Sequence, residues 1–142
     1  MGKYKGLRVI FTDVDGVLFN TTSSSWNKTA IKLYNKLCDE FNLKAVISST
    51  WRTNHSIYQL QNIFYQNGIE VDIIDYTPII SFDGRGSEIG EWLRNNEVDN
   101  FIILDDCTRD IERHGLPNIV KCRGWIGFSQ EEYDVAEKFL LK

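Results

Sequence analysis

Asp13 and Asp15 follow a short apolar run rich in β-branched residues, Leu7 to Phe11. Asp105 and Asp106 follow a second, Phe101 to Leu104, and Ser48, Ser49 and Thr50 follow a third, Ala45 to Ile47. If these runs are neighbouring strands, several carboxylates converge at one rim, where unscreened like charges repel by several kcal/mol. Such a set demands a bound cation. Oxygen ligands with no His or Cys among them select Mg²⁺ over zinc or copper. The expected cofactor is therefore Mg²⁺.

The intervening segments supply the elements that would hold these clusters in place. Ala30, Tyr34, Leu37 and Phe41 are spaced by four, three and four residues, one helix face, and Ile57, Leu60 and Phe64 repeat that spacing up to Gly68. Val71 to Ile74 reads as a third strand, Ser87 to Leu93 as the start of a helix, Ile119-Val120 as a last strand, and Gln130 to Leu141 as a closing helix. Alternating strands and helices predict an α/β fold, a three-layer α/β/α sandwich around a Rossmann-like parallel sheet. In such sheets ligands bind beyond the carboxyl ends of the strands, the ends that carry the polar clusters.

The chain has 142 residues, 42% apolar and 25% charged, which suits one globular domain over 1–142 and excludes disordered and fibrous classes. Sixteen basic against twenty acidic residues give a net charge of −4, so no global positive field draws it to nucleic acid or anionic lipid. No apolar run reaches the roughly 20 residues of a membrane span and no signal-peptide pattern is present, so a cytoplasmic protein is expected. Cys38, Cys107 and Cys122 lack C-x-x-C spacing and read as reduced thiols.

Phe11-Thr12-Asp13-Val14-Asp15-Gly16-Val17-Leu18 resembles the first signature of the haloacid dehalogenase (HAD) superfamily of phosphohydrolases, and the later clusters arrive in that family's order. The resemblance implies that Asp13 is a nucleophile forming an aspartyl-phosphate and that Asp15 is the general acid and base. The Asp13 carboxylate and the Asp15 main-chain carbonyl would then hold Mg²⁺. The hydroxyl that donates to a phosphoryl oxygen falls on Ser48 or Ser49, with Ser49 preferred and Thr50 beside it. The cationic signature falls on Arg85, since no lysine occurs between Arg52 and Lys121, and guanidinium offers a fork where ammonium offers a point charge. The acidic signature admits two registers for the metal, Asp105/Asp106 or Asp106/Asp110, of which the pair is favoured.

The stretches between the signatures leave no room for a cap domain, so the site should be open and suit a bulky or macromolecular substrate. Ser48-Ser49-Thr50-Trp51-Arg52, with Arg85 to Leu93 and Leu104-Asp105-Asp106, resembles small capless domains linked with RNA repair and nucleic-acid end processing. That resemblance makes Trp51 a candidate to stack on a base and Arg52 one to contact a backbone phosphate. Against these stand plainer roles: Trp51 packed under its helix, Arg52 a surface charge, Trp92 and Trp125 core or rim packing, and Arg85 a solvated turn residue. Three functions are in play: a Mg²⁺-dependent phosphatase of phosphomonoesters, a phosphatase of nucleic-acid 3′ or 5′ ends, and a non-catalytic metal- and phosphate-binding module.

Overall fold

The computed structural model describes residues 4–80 and 84–141. Five short strands with apolar residues on both faces form its centre: β1 (Arg8–Thr12), β4 (Leu43–Ile47), β5 (Ile73–Tyr76), β6 (Asn100–Asp105) and β7 (Ile119–Lys121). All pair in parallel, in the order β5-β4-β1-β6-β7. The minor strands β2 (Phe19–Asn20) and β3 (Ser25–Trp26) form a separate antiparallel hairpin. The helices are α1 (Lys28–Phe41), α2 (Ile57–Gln66), α3 (Gly84–Arg94), α4 (Arg109–Arg113) and α5 (Gln130–Leu140), with a 3₁₀ turn at Thr50–Thr53.

The two-residue period of a strand sends alternate side chains to opposite faces, and the core divides accordingly. Ile10, Ala45, Ile47, Ile102 and Leu104 pack with Tyr34 and Leu37 of α1, Leu60 and Phe64 of α2, and Tyr133 and Ala136 of α5. Val9, Phe11, Val46 and Ile103 pack on the other face with Ile89 and Trp92 of α3 and Ile111 of α4. This is the expected three-layer α/β/α sandwich.

From central β1 the chain builds outward through β4 and β5, then crosses back to lay β6 and β7 on the other side. The reversal of strand order opens a crevice at the carboxyl ends of β1 and β6. The Thr12–Ile47 and Thr12–Leu104 pairings bring β1, β4 and β6 to that rim at one level.

Several boundaries differ from the sequence reading. The third strand starts at Ile73, not Val71, because the Gln61 side chain hydrogen-bonds both the Ile73 N–H (2.7 Å) and the Val71 carbonyl (2.9 Å). Helix α3 begins at Gly84, so Arg85 lies inside its first turn and not ahead of the helix. The hairpin had no apolar alternation to announce it. Its turn is set instead by the Asn20 side chain accepting from the Thr22 and Ser23 N–H groups, and by Ser24 at φ 51°. Trp92 is buried, as expected, whereas Trp125 is 74% exposed at a turn tip and packs in neither core.

Candidate active site

Strand ends deliver the acids. Asp13 is the first residue beyond β1, its N–H bound to the Leu104 carbonyl at 3.1 Å, and Asp105 is the last residue of β6. Carboxylate oxygens of Asp13, Asp105 and Asp106 lie within 4.8 Å of one another. From α3, Arg85 reaches into the group, with Nη1 at 2.6 Å from Asp105 Oδ2 and 3.4 Å from Asp13 Oδ2. The other Asp105 oxygen accepts the Cys107 N–H at 2.9 Å. Asp105 is thus held from both sides, and Asp106 is the member of the pair left to turn toward Asp13.

Two glycines make room for Asp106. A Cβ at Gly16 would lie 2.1 Å from Asp106 Oδ2, and one at Gly124 would lie 3.1 Å from it. Gly16 also has φ +79°, a conformation that L side chains rarely adopt. The D-x-D-G composition therefore provides both a turn and a vacancy beside the acid cluster. Gly124 does the same from the far end of the chain and was not foreseen, because an isolated loop glycine carries no spacing signal.

The cluster is electrostatically crowded. Burial, and then the Asp105 charge, push the Asp13 carboxyl up to about 8 against the opposing pull of Arg85, with Asp106 adding to the rise. Burial likewise raises Asp105, again opposed by Arg85. One guanidinium faces three carboxylates, which leaves an excess of negative charge that a second cation would neutralise. The donor set, all carboxylate oxygen, fits a hard divalent ion such as Mg²⁺.

The remaining candidates divide. Asp15 keeps its carboxylate outside the three-acid group, where Oδ1 accepts the Trp51 indole N–H at 2.9 Å. Ser49 is fully buried and caps the 3₁₀ turn, its Oγ accepting the Trp51 N–H at 3.2 Å. Ser48 follows the last β4 pairing, as Asp13 follows β1, and its buried Oγ has no hydrogen-bond partner among the described residues. Thr50 is exposed on the same rim.

Arg52 is a correction: its geometry does not suit a substrate contact. The side chain is 3% exposed. Its Nε donates to the Thr77 carbonyl, Nη1 to the carbonyls of Ser48 and Ser49, and Nη2 to the Pro78 carbonyl and Glu88 Oε1, the last at 2.7 Å. Those contacts use all five guanidinium N–H groups. Buried Glu88, its partner, was not singled out in the sequence because a Glu in a helix ordinarily reads as a solvated face.

Asp110 lies outside the acid group as well. Its Oδ2 accepts the Gly86 N–H at 2.7 Å in the first turn of α3, and its Oδ1 accepts from Arg113 at 2.6 Å. Of the two acidic registers, the adjacent pair is the one brought to Asp13.

Among the described residues, no helix is long and apolar enough to cross a membrane. Residues 9–133 match the family model described as the HAD domain in Swiss Army Knife RNA repair proteins. No curated protein and no solved structure matches the chain.

Proposed function

Because the chain belongs to the family of HAD domains found in Swiss Army Knife RNA repair proteins, we propose that it is a phosphatase that removes the terminal phosphate from a nucleic-acid end. The observation that carries this reading is the convergence of Asp13, Asp105, Asp106 and Arg85 at the switch point of the sheet. Three acids and one forked cation form a receptacle for a dianion only if a further cation balances them.

Asp13 and Asp106 would hold a divalent cation, together with the Asp15 main-chain carbonyl, and Asp105 would hold Arg85 in place. The bound ion would neutralise phosphoryl charge and free Asp13 of its proton. Asp13 attacks phosphorus, the bond from phosphorus to the ester oxygen breaks, and Asp15 passes a proton to the departing oxygen. Water then attacks the aspartyl-phosphate, Asp15 takes its proton, and inorganic phosphate leaves as Asp13 is regenerated. Arg85 offers its free donors to the phosphoryl oxygens. Ser49 adds a hydroxyl, since its oxygen is fixed by the Trp51 N–H while its proton stays free to donate. Among the described residues the hairpin and the crossovers add no cap domain, which suits a phosphate presented on a polymer.

The test is a panel of 3′- and 5′-phosphorylated oligonucleotides, nucleotides, sugar phosphates and phosphopeptides, each with Mg²⁺ and with chelator. Phosphate release from one class of oligonucleotide end, dependent on Mg²⁺ and falling with ionic strength, is expected. Asp13→Asn should reduce it by about 10⁴-fold or more. Release from Asp13→Asn at the wild-type rate refutes the nucleophile, and equal rates on all esters refute the nucleic-acid substrate.

A further inference from the structure

The acid cluster accounts for the phosphoryl group but not for what the phosphate is attached to. In the proposed reaction the departing oxygen must lie against Asp15, so the leaving group is bound on that side of the site. There the surface holds a cleft of about 400 Å³ lined by Asp15, Thr50, Trp51, Asn54 and His55. That volume falls within the range of ligand sites, roughly 300–1,000 Å³.

Its walls are aromatic and its edges polar. Trp51 and His55 stack with ring centroids 5.8 Å apart and planes at 25°. Trp51 is braced from behind by Phe19 at 5.6 Å and Trp26 at 5.4 Å, both on the hairpin of β2 and β3. The indole is therefore already held by packing on the hairpin. The indole N–H holds Asp15 Oδ1 at 2.9 Å, which leaves the other carboxylate oxygen for the departing atom. His55 Nδ1 lies 2.9 Å from the Trp51 carbonyl. A carbonyl only accepts, so Nδ1 carries a proton there and Nε2 is the ring nitrogen left to face the cleft. Neither the Thr50 hydroxyl nor the Asn54 carboxamide has a hydrogen-bond partner among the described residues.

We infer that this cleft binds the terminal nucleoside that carries the scissile phosphate. The base stacks on the Trp51–His55 surface, while Thr50, Asn54 and His55 Nε2 meet its polar edge or its ribose. The inference rests on the proposed phosphatase reading for its orientation, and Trp51 acts both as a wall and as the positioning residue for Asp15. Stacking tolerates any base, because each offers a π face, so the end is recognised without a fixed sequence.

The chain has two histidines, His55 and His114, so their imidazole NMR resonances read the cleft and an internal control. The full chain is titrated with diribonucleotides bearing a 3′- or a 5′-phosphate, with the unphosphorylated dinucleotide, and with inorganic phosphate. One phosphorylated dinucleotide should shift His55 and leave His114 in place, whereas inorganic phosphate should leave both. His55→Ala should weaken binding of that dinucleotide by about tenfold, the scale of one lost base stack. An unmoved His55 resonance at the highest dinucleotide concentration, or wild-type affinity in His55→Ala, overturns the cleft. Phosphate release with Mg²⁺ is recorded in parallel. A His55 shift without release keeps the cleft and sinks the catalytic reading, and release without the shift does the reverse.

Discussion

Arg85, half-buried, and Arg52, buried, are both guanidinium groups beside carboxylates, and both stand as phosphate-facing candidates in the sequence. Their surroundings part them. Among the described residues, Arg85 commits only Nη1, shared between Asp105 and Asp13, so Nε and Nη2 remain for an incoming anion. Arg52 has every donor satisfied by four backbone carbonyls and Glu88, whose second oxygen accepts the Ile80 N–H at 3.0 Å. A binding cation is distinguished from a structural one by what it has left over. The two are also connected, because Glu88 sits one turn beyond Arg85 on α3. Arg52 pins that helix, and the ends of β4 and β5 with it, while Arg85 works from the pinned end.

The largest effect that would test this division is on folding. Arg52→Met should destabilise the protein by about 3–5 kcal/mol, because it strands Glu88 as a buried charge. Adding Glu88→Gln should recover part of the loss, so that the two changes are strongly non-additive in a double-mutant cycle measured by urea unfolding. If Arg52→Met instead folds with wild-type stability and loses affinity for phosphorylated substrate, the division between the two arginines is wrong.

Arg85→Lys sharpens the other half of the comparison. Lysine keeps the charge near Asp105 and Asp13 but gives up the fork, so stability should change little while phosphate release falls about a hundredfold, the scale of one lost oxyanion donor. The measurement is kcat/KM beside the urea midpoint of the same preparation. A drop in stability without a drop in turnover would give Arg85 the role assigned here to Arg52.

The sequence carried the sheet well because each strand is a short apolar run ending in a polar cluster, a pattern with one physical reading. It carried Asp13, Asp105 and Asp106 for the same reason, since strand ends fix where the next side chain lies. Arg52 could not be judged, because its fate depends on carbonyls at Thr77 and Pro78 that approach only after β5 has docked beside β4. The hairpin, α4 and the close approach of Gly124 were hidden likewise. Their cues are single residues such as Asn20 or Gly124, whose meaning depends on distant partners. Trp125 shows the opposite failure, as its size suggested packing while the tight turn from Arg123 to Gly127 holds it in solvent.

The smallest effect concerns how Arg85 is held from the other side. Asp110 sits over the first turn of α3, and a Cβ on Gly86 would come within 2.7 Å of the Asp110 carbonyl, so the chain passes there with no space to spare. Burial alone would raise the Asp110 pKa, but the Gly86 N–H, Arg113 and His114 together hold it below the ordinary value of 3.8. A carboxyl depressed in the folded state stabilises the fold above its unfolded pKa, and that contribution is lost as pH falls through the folded value. Asp110→Asn keeps the shape and removes the charge at a helix N-terminus, so it should cost about 0.5–1 kcal/mol at pH 7. From about pH 4 downward the gap should shrink, and the two proteins should converge once pH has passed below the depressed folded value. Urea midpoints across that range read the gap directly. A gap that is constant with pH would mean that Asp110 holds α3 through shape alone, leaving Glu88 and Arg52 as the charged anchor of the helix that carries Arg85.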